Sequence, residues 1–437
     1  MFIVFISLLF AFILLAKKES ILMLFVFLIP FHSFLKAFSD FYFKVGYGNI
    51  FAVWKEVAIL IFTIKVFRNN RLLIDKTLLL CLYIFVFVII LFFTFSDDYE
   101  DGLAHLRDHI FSIILFIALV SSSITNAQII KLLKVFLVGG VISCIAGFLQ
   151  YYFFKIPIGF IMKSIDFIDA NGYVQYNYNS FRIMGIERMS GILTGPNDFG
   201  LYCSFILVLS IFLLNMKKSF TKITYIFILI TGILSATCLI LSFSRVGWVI
   251  AVICIIYMIV RKIIILKIRN IILFGVIALM LVLVLGTIFP SSFDIITNSL
   301  NGKEASAANR GTELNEGLSV LFAEPMGHGL GTADIRSSGR SFSVESIFLN
   351  TAYEIGVLGL ALLIFIHIYI IKLLFRRIKS SPLVALIIGF SIAALISSFA
   401  SVNTYGVPFI YIWWFMLGIG VNKYNTVFNN RLVAVTQ

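Results

Sequence analysis

Long apolar runs separated by polar connections recur along the whole chain and constrain its fold more than any other feature. A bilayer core about 30 Å thick needs about 20 residues of helix to cross it. Only helices are expected here, because each unpaired backbone group in lipid costs several kcal/mol. The candidate spans lie near residues 2–16, 21–38, 50–67, 77–95, 103–121, 132–153, 197–215, 223–241, 246–260, 271–289, 345–371, 382–400 and 408–421.

The predicted fold class is all-α, a polytopic transmembrane helical bundle of 12–13 spans. The first two runs are short, and they are compatible with two crossings or with one broken element. Of the 437 residues, 61% are hydrophobic and 13% are charged, whereas soluble domains have roughly 45–50% and 25%. We therefore predict a single integral membrane domain over residues 1–437. The start lacks a basic segment and a clear cleavage site, which favours a first membrane segment over a removed signal peptide.

The basic residues predict the orientation. The formal net charge is +13, and because Lys and Arg lie mostly between apolar runs, they indicate topology rather than a nucleic-acid partner. One side of the predicted bundle holds the acidic run Asp97–Asp101, and that side is expected to be external. The opposite, cytoplasmic side holds Lys17, Lys18, Arg68, Arg71, Lys76, Lys131, Lys134, Lys217, Lys218, Lys222, Arg261, Lys262, Lys267, Arg269, Arg376, Arg377, Lys379 and the C-terminus.

Two connections, residues 154–196 and 290–344, are much longer than the rest and are polar, with Gly, Asn, Ser and aromatic residues. The predicted orientation places both on the external side as large periplasmic loops. Connections of this length are usually functional or disordered. The sequence has no evident internal repeat, which weighs against the transporters that are built from repeats.

Several arginines lie on the predicted external side, where Lys and Arg should be scarce. Arg245 is the most informative, because its connection between two apolar runs is very short and an arginine at membrane depth is a functional hypothesis by default. A guanidinium matches phosphate oxygens bidentately. The arginines of the long loops are also compatible with solvated or snorkelling side chains. The candidate anion ligands are Arg182, Arg188, Arg245, Arg310, Arg336 and Arg340.

Two polar motifs accompany these arginines. Gly195–Gly200 reads Gly-Pro-Asn-Asp-Phe-Gly and predicts a helix start, so Asn197 belongs either to a simple helix cap or to an anion site at the helix N-terminus. Gly327 and Gly329 lie in Gly-His-Gly-Leu-Gly, which predicts a flexible loop that lets the backbone approach a ligand. No strand-turn-helix context surrounds that motif, so it is not a dinucleotide fingerprint.

The sequence also contains acids and possible metal ligands in or beside the predicted spans. Glu345, where the second long loop re-enters the membrane, is compatible with a helix N-terminal charge or with a proton acceptor. Glu354 lies deeper, inside the same span. His105 and His109 are four residues apart without a third ligand nearby, and the five cysteines lie in apolar runs without short spacing. No metal, cofactor or disulfide is predicted from these patterns.

Five motifs occur in a fixed order and would share one face of the bundle. They are Arg188–Asn197, Ser242–Gly247, Asn309–Gly311, Pro325–Gly331 and Glu354–Gly359. In order and placement they resemble the O-antigen polymerase and O-antigen ligase superfamily of bacterial inner membranes. The resemblance covers residues 180–360 in its motifs and the whole chain in its layout.

The resemblance implies transfer of a glycan from undecaprenyl pyrophosphate at the periplasmic face. A polymerase moves the growing chain onto a new lipid-linked repeat unit, whereas a ligase moves the finished chain onto lipid A-core. Family ligases carry a His-Asn pair where the large loop re-enters the membrane. Glu345-Ser346 stands there in this sequence, which favours a polymerase.

The resemblance also implies the roles of the candidate residues. Arg188, Arg245 and Arg310 would hold the pyrophosphate in catalysis, with Arg182 as a fourth candidate and Glu345 as the base. The implied partners are membrane lipid, the undecaprenyl-pyrophosphate-linked oligosaccharide, and the chain-length regulator and flippase of the same pathway, with no nucleotide or metal cofactor. A ligase and a non-enzymatic transporter of lipid-linked sugars remain alternatives.

Overall fold

The structure, a computed structural model, describes residues 2–42, 46–68, 70–97, 99–154, 182–183, 186–216, 220–264, 305–333, 346–378, 381–399, 401 and 406–422. It is a helical membrane bundle, as the sequence predicts. Its helices are α1 Phe2–Leu15, α2 Lys18–Leu28, α3 His32–Tyr42, α4 Tyr47–Ala52, α5 Trp54–Phe67, α6 Lys76–Phe93, α7 Tyr99–Ser121, α8 Asn126–Leu149, α9 Pro196–Asn215, α10 Lys222–Leu241, α11 Arg245–Val260, α12 Ala305–Ala323, α13 Ile347–Phe375, α14 Pro382–Ser398 and α15 Phe409–Val421.

Short elements complete this part of the chain. A 3₁₀ turn, Ile29–Phe31, joins α2 to α3, and a π turn, Gln150–Phe154, extends α8. The strands β1, Arg182–Ile183, and β2, Ile186–Glu187, form a small antiparallel hairpin.

Seven helical stretches among the described residues are long and apolar enough to cross a membrane. They are Lys18–Asp40, Lys76–Phe93, Tyr99–Ser121, Asn126–Phe153, Pro196–Asn215, Lys222–Leu241 and Ile347–Phe375. Shorter apolar helices include α11, α14 and α15. The predicted span at 271–289 lies outside the described residues. These helices fit the predicted polytopic transmembrane bundle.

The sequence left open whether the first two apolar runs are two crossings or one broken element. In the structure they are separate helices, because the chain leaves helical geometry at Lys17, whose φ and ψ are −64° and 153°. The run predicted as a continuous span at 345–371 is interrupted, since Ile355 and Gly356 have non-helical backbone angles inside α13. The second long connection also contains helix α12. Most of the first predicted loop and both ends of the second lie outside the described residues, and the loop boundaries stay predictions.

The interior of the bundle is built by α9, α14 and α15. All thirteen residues of α15 are buried, and so are 15 of the 20 residues of α9. Aromatic rings connect these helices, because Phe205 packs edge-on against Phe136 and Phe390, and Phe136 packs edge-on against Phe415. A helix that is apolar all round is expected at such a position.

The basic residues gather at one end of the bundle. Lys18 donates to Ser123, Lys65 donates to the carbonyl oxygens of Leu14 and Ala16, and Arg377 donates to that of Val421. The positive-inside rule predicts that this end faces the cytoplasm. The opposite end, where α10 and α14 finish and α11 and α13 begin, is called the outer end below.

Candidate functional site

Arg188 joins three elements at the outer end of the bundle. Its side chain is buried, and the residue is 9% exposed. Nε donates to the carbonyl oxygen of Ser242 at 2.9 Å, and one Nη donates to Oδ1 of Asn197 at 2.6 Å. The same nitrogen lies 3.4 Å from the carbonyl oxygen of Phe243. The guanidinium therefore satisfies carbonyl groups that the C-terminus of α10 leaves without helical partners.

The turn between α10 and α11 is backbone-strained. Phe243 has a φ of +48° although it is not glycine, and a bulky residue in this region costs of order 1–3 kcal/mol unless its surroundings hold it. Arg188 supplies part of that restraint through the Phe243 carbonyl. Strained turns of this kind often occur at functional sites.

The Gly195–Gly200 motif packs directly on this turn. Oγ of Ser244 donates to the carbonyl oxygen of Asn197 at 3.4 Å, and a Cβ on Gly247 would lie 2.6 Å from the carbonyl oxygen of Gly200. A Cβ on Gly200 would overlap Ser244. The two motifs, far apart in sequence, thus form one close-packed unit in which glycine is required for backbone contact.

Arg245 begins α11 within the same unit. Ser244 is the N-cap of that helix and accepts from the amide of Gly247 at 3.3 Å. Arg245 is partly buried at the first helical position, close in the chain to the strained turn. The structure therefore brings three of the predicted site residues, Arg188, Asn197 and Arg245, to the adjoining outer ends of α9, α10 and α11.

Helix α14 connects this unit to the start of α13, since it packs against both α11 and α13. At its outer end, the carbonyl oxygen of Ser398 accepts from Oγ of Ser346 at 3.4 Å. Ser346 is the N-cap of α13, so Glu345 immediately precedes the helix, as the sequence suggests. Glu345 itself lies outside the described residues, and its predicted role stays a prediction.

The remaining predicted arginines are not brought to this unit by any described contact. Arg182 lies in β1 opposite Glu187, and Arg310 lies in α12. Arg336 and Arg340 lie outside the described residues. Their assignment to an anion stays a prediction.

Gly327 and Gly329 belong to a segment that packs on other parts of the backbone. We call residues 325–333 the glycine segment. Its amides at His328 and Gly329 donate to the carbonyl oxygens of Tyr353 and Glu354, beside the interruption in α13. Gly327 and Gly329 have φ of +87° and +106°, and a Cβ on either would meet backbone atoms. The structure thus gives these glycines a packing role, and their predicted substrate contact stays a prediction.

The glycine segment also reaches α6 and α7. The amide of Leu330 donates to the carbonyl oxygen of Phe92 at 3.1 Å, and Oγ of Ser96 donates to the Leu330 carbonyl oxygen at 2.7 Å. A Cβ on Gly331 would lie 2.6 Å from the amide nitrogen of Gly102. Residues 325–333 of the second long connection are therefore held between the outer ends of α6, α7 and α13.

Glu354 has a partner that the sequence did not identify. Its carboxylate lies 3.3 Å from Nδ1 of His105 on α7, and its side chain is 7% exposed. His105 on α7 therefore pairs with an acid on α13, six helices further along the chain. In the sequence, the indication of such a contact is that both ionisable residues lie inside predicted membrane spans.

A second ionic group was missed by the sequence analysis. Lys55 contacts Glu56 at 2.9 Å and Asp108 at 3.2 Å, and Arg107 donates to Glu56 at 2.6 Å. The hydroxyl of Tyr411 donates to Asp108 at 2.8 Å. We call these five residues the buried ionic network. It ties α5, α7 and α15 together near the outer end, and its two positive and two negative charges balance.

The sulfur atoms of Cys144, Cys203 and Cys238 lie within 4.8 Å of one another, one from each of α8, α9 and α10. Sequence spacing could not indicate this convergence. All three are buried, and no cation side chain among the contacts described for them offsets the charge that three thiolates would carry. They fit small apolar side chains that fill space between helices.

Comparison with known families agrees with this architecture. Residues 230–364 match the family described as O-antigen ligase (Wzy_C). The matched part, about a third of the chain, begins within α10 and ends within α13, so it includes Arg245, the glycine segment and Glu354. No curated protein matches the chain.

The fold and the site define a multi-pass membrane protein with a polar, arginine-containing outer end. The family match supports similarity to the O-antigen polymerase and ligase superfamily and indicates glycan transfer with a lipid-linked glycan substrate. It does not distinguish a polymerase from a ligase.

Proposed function

We propose that this protein polymerises lipid-linked oligosaccharide repeat units at the periplasmic face of the bacterial inner membrane. The growing O-antigen, or a similar surface polysaccharide, is transferred from undecaprenyl pyrophosphate to a new lipid-linked repeat unit. The observation that carries the proposal is the convergence of Arg188, Asn197 and Arg245 at the outer end, beside a segment similar to a glycan-transferring family.

Arg245 is the proposed pyrophosphate ligand at this site. An acceptor hydroxyl attacks the anomeric carbon, and the bond to the pyrophosphate oxygen breaks with its electron pair. Negative charge then grows on the leaving phosphate, and a fixed cation in a partly desolvated site stabilises it most. Arg310 remains a proposed second ligand, with Arg182, Arg336 and Arg340 as further candidates.

Arg188 takes a positioning role in this proposal. Its Nε and one Nη already donate to protein oxygens, so its contribution is to fix the turn that presents Arg245. The positive charge also remains close to the leaving group. Asn197 acts through the same contact, because its side-chain oxygen holds the guanidinium in place.

The choice of a polymerase over a ligase depends on position 345. Family ligases carry His-Asn where this chain has Glu345-Ser346. Ser346 is the N-cap of α13 at the outer end, so the preceding residue is suitably placed in the chain for a site there. The candidate arginine site lies at the outer end rather than along a pathway through the bundle, which favours chemistry over transport.

The test is deletion of the gene in its host, followed by gel analysis of surface glycolipid and extraction of the lipid-linked pool. A polymerase mutant carries lipid A-core with a single repeat unit. A ligase mutant keeps long polymer on undecaprenyl pyrophosphate, and a flippase mutant leaves repeat units at the cytoplasmic face. We expect the single-unit product; long polymer on the carrier lipid would replace the polymerase with the ligase.

Complementation links the phenotype to the site. The intact gene should restore the ladder, whereas Arg245→Ala should not. Arg261→Ala is the matched control, since Arg261 is exposed at the opposite end of the same helix. Restoration by Arg245→Ala at normal protein levels would remove Arg245 from the site.

A further inference from the structure

Helix α12, in the second long connection, exposes large apolar side chains along one side. Leu314 and Leu318 are exposed, and Phe322 is 81% exposed. Met326, in the glycine segment just after the helix, is 77% exposed. These residues follow one another at intervals of four, so the three in the helix lie on neighbouring turns of one face. We call the four residues the apolar row; side chains of this kind exposed together mark an interaction surface.

The other sides of α12 differ from the apolar row. Gly317 is buried and Val320 and Leu321 are half-buried, on a helix that packs against α13. Exposed polar side chains occupy a further side, namely Thr312, Asn315, Glu316 and Ser319. At about 100° per residue, the apolar row lies between the packed side and the polar side. This order of surfaces is expected of a helix that lies at a boundary between lipid and water while protein holds its third side.

Helix α13 places the end of α12 at the boundary of the hydrocarbon core. The carbonyl oxygen of Pro325, two residues after α12, accepts from the amide of Val357 at 3.0 Å. From Val357 to Phe375, at the basic end of the bundle, α13 rises about 28 Å. A hydrocarbon core is about 30 Å thick. With Phe375 at one boundary, next to Arg376 and Arg377, Pro325 therefore lies at the other.

Helix α6 gives the same level independently. It starts at Lys76, at the basic end, and its 18 residues rise about 27 Å to Phe93. The carbonyl oxygen of Phe92 accepts from the amide of Leu330 at 3.1 Å, and a Cβ on Gly327 would lie 3.0 Å from Cε1 of Phe92. The glycine segment is therefore level with the outer ends of two apolar stretches that are each about as long as the core is thick.

We infer that α12 lies along the lipid leaflet at the outer end of the bundle, with the apolar row in contact with acyl chains. The row is continuous with the surface that the bundle exposes to lipid, because the carbonyl group of Met326 adjoins Gly356 and Leu358 beyond it is exposed. An upright helix would instead carry Leu314 about 12 Å further from the core than Phe322. Apolar side chains there would face water and gain nothing from exposure.

The contact is apolar rather than electrostatic. No lysine or arginine occurs between Thr312 and Met326, whereas this stretch contains Glu313, Glu316 and Glu324. Helices that bind anionic headgroups carry Lys and Arg on their polar face. The partner of the apolar row is therefore the acyl region of the leaflet, and anionic lipid is not required.

This contact gives the second long connection a fixed level at the membrane surface. Arg310 stands one turn before Leu314 in α12, so its backbone lies at the level of the lipid headgroups. Where the proposed function holds, the charged pyrophosphate of the lipid carrier lies at that level too, because burying its charge in the core is costly. The inference itself does not depend on glycan transfer, since it concerns only what α12 touches.

The experiment scans α12 with a nitroxide spin label in the full chain. Single cysteines are introduced in a background without native cysteines, labelled, and reconstituted into phosphatidylcholine liposomes. Collisions of each label with O₂, which concentrates among acyl chains, and with a water-soluble nickel chelate are measured by electron paramagnetic resonance. The positions are Leu314, Leu318 and Phe322 in the apolar row, Asn315 and Ser319 on the polar side, and Val320 on the packed side.

We expect O₂ collisions to dominate in the apolar row and chelate collisions to dominate on the polar side. The two maxima should be about a third of a turn apart around the helix. A label replacing Val320 should meet little of either reagent, which reports that α12 still packs on the bundle. Asn315 and Ser319 are matched controls, because they lie on the same turns as Leu314 and Leu318.

Two results would overturn the inference. Chelate collisions that dominate in the apolar row as well would show that the row faces water. A row that meets neither reagent would be covered by protein, and dipolar broadening between labels would identify that protein as a second copy of the chain; without broadening, it would be another segment or a partner. A wild-type chain that forms no ladder, alongside the expected collision pattern, would contradict the proposed function and leave the lipid contact standing.

Discussion

Nη2 of Arg188 donates to Oδ1 of Asn197 at 2.6 Å, at the outer start of α9. The same guanidinium reaches the carbonyl oxygens of Ser242 and Phe243. The planar guanidinium of Arg188 thus fixes the position of the strained turn after α10 relative to the start of α9. A lysine, which carries a single compact ammonium, cannot reproduce that geometry.

Arg188→Lys should therefore lose both stability and activity. Buried carbonyl oxygens left without donors cost about 1–3 kcal/mol, and the turn before Arg245 would lose its restraint. Thermal unfolding in detergent and ladder formation in the host measure the two effects. Unchanged stability together with lost activity would indicate direct contact with the substrate instead of positioning.

Arg245→Lys should lose activity without a comparable loss of stability. If Arg245 binds phosphate as a fork, the lysine keeps the charge but not the paired hydrogen bonds. Loss of one donor to a developing anion costs about 2.7–4 kcal/mol, or about 10²–10³ in rate. The rate is measured on extracted lipid-linked repeat units, with Arg261→Lys as the control. Full activity of Arg245→Lys at normal expression would contradict bidentate binding of phosphate by Arg245.

Three glycine substitutions, one in the glycine segment and two elsewhere, separate the effect of close packing on stability from that of backbone strain. Gly329→Ala should be the most destabilising, because Gly329 has φ +106° and its Cβ would overlap the carbonyl of Phe95. Gly46→Ala, at φ +98° with no described atom within 4 Å of its Cβ, should cost about 1–2 kcal/mol from strain alone. Gly195→Ala, with an ordinary φ and equal space, should have the smallest effect.

Thermal unfolding of the purified variants gives this order. The overlap in Gly329→Ala adds about 1–3 kcal/mol to the strain. Equal effects of Gly329→Ala and Gly46→Ala would mean that the glycine segment does not pack on α6 as described.

Cysteine labelling tests the orientation. In a background without native cysteines, Ser319→Cys in α12 should react with an impermeant thiol reagent added from the periplasm. Leu72→Cys should not react, although it is 44% exposed, because it lies in a connection with Arg68, Arg71 and Lys76 at the basic end. The reverse pattern would place the proposed site in the cytoplasm and contradict the account.

Much of the fold could be predicted from the sequence because the bilayer restricts it to helices. The short link between α10 and α11 and the start of α9 at Pro196 both lie where apolar periodicity and Gly-Pro-Asn place them. The interruption at Ile355–Gly356 was not predicted. It depends on hydrogen bonds to the glycine segment about 25 residues earlier, which no local pattern reveals.

The candidate site could be predicted only in part. The arginines were recognised by their unusual place on the predicted external side, yet the contact from Arg188 to Ser242 depends on how three helices meet. The pairing of His105 with Glu354 and the buried ionic network require the packing of α7 against several helices. Charged residues inside predicted spans signalled their importance but not their partners.

The most direct test of the central claim is conversion of lipid-linked repeat units by the purified protein in liposomes. Units extracted from the deletion strain are supplied without nucleotide sugars, and products are separated by chain length while released undecaprenyl pyrophosphate is quantified. The account predicts a ladder, with one undecaprenyl pyrophosphate released for each bond formed and none in Arg245→Ala. Single units that persist unchanged with active wild-type protein, or transfer only onto added lipid A-core, would contradict it.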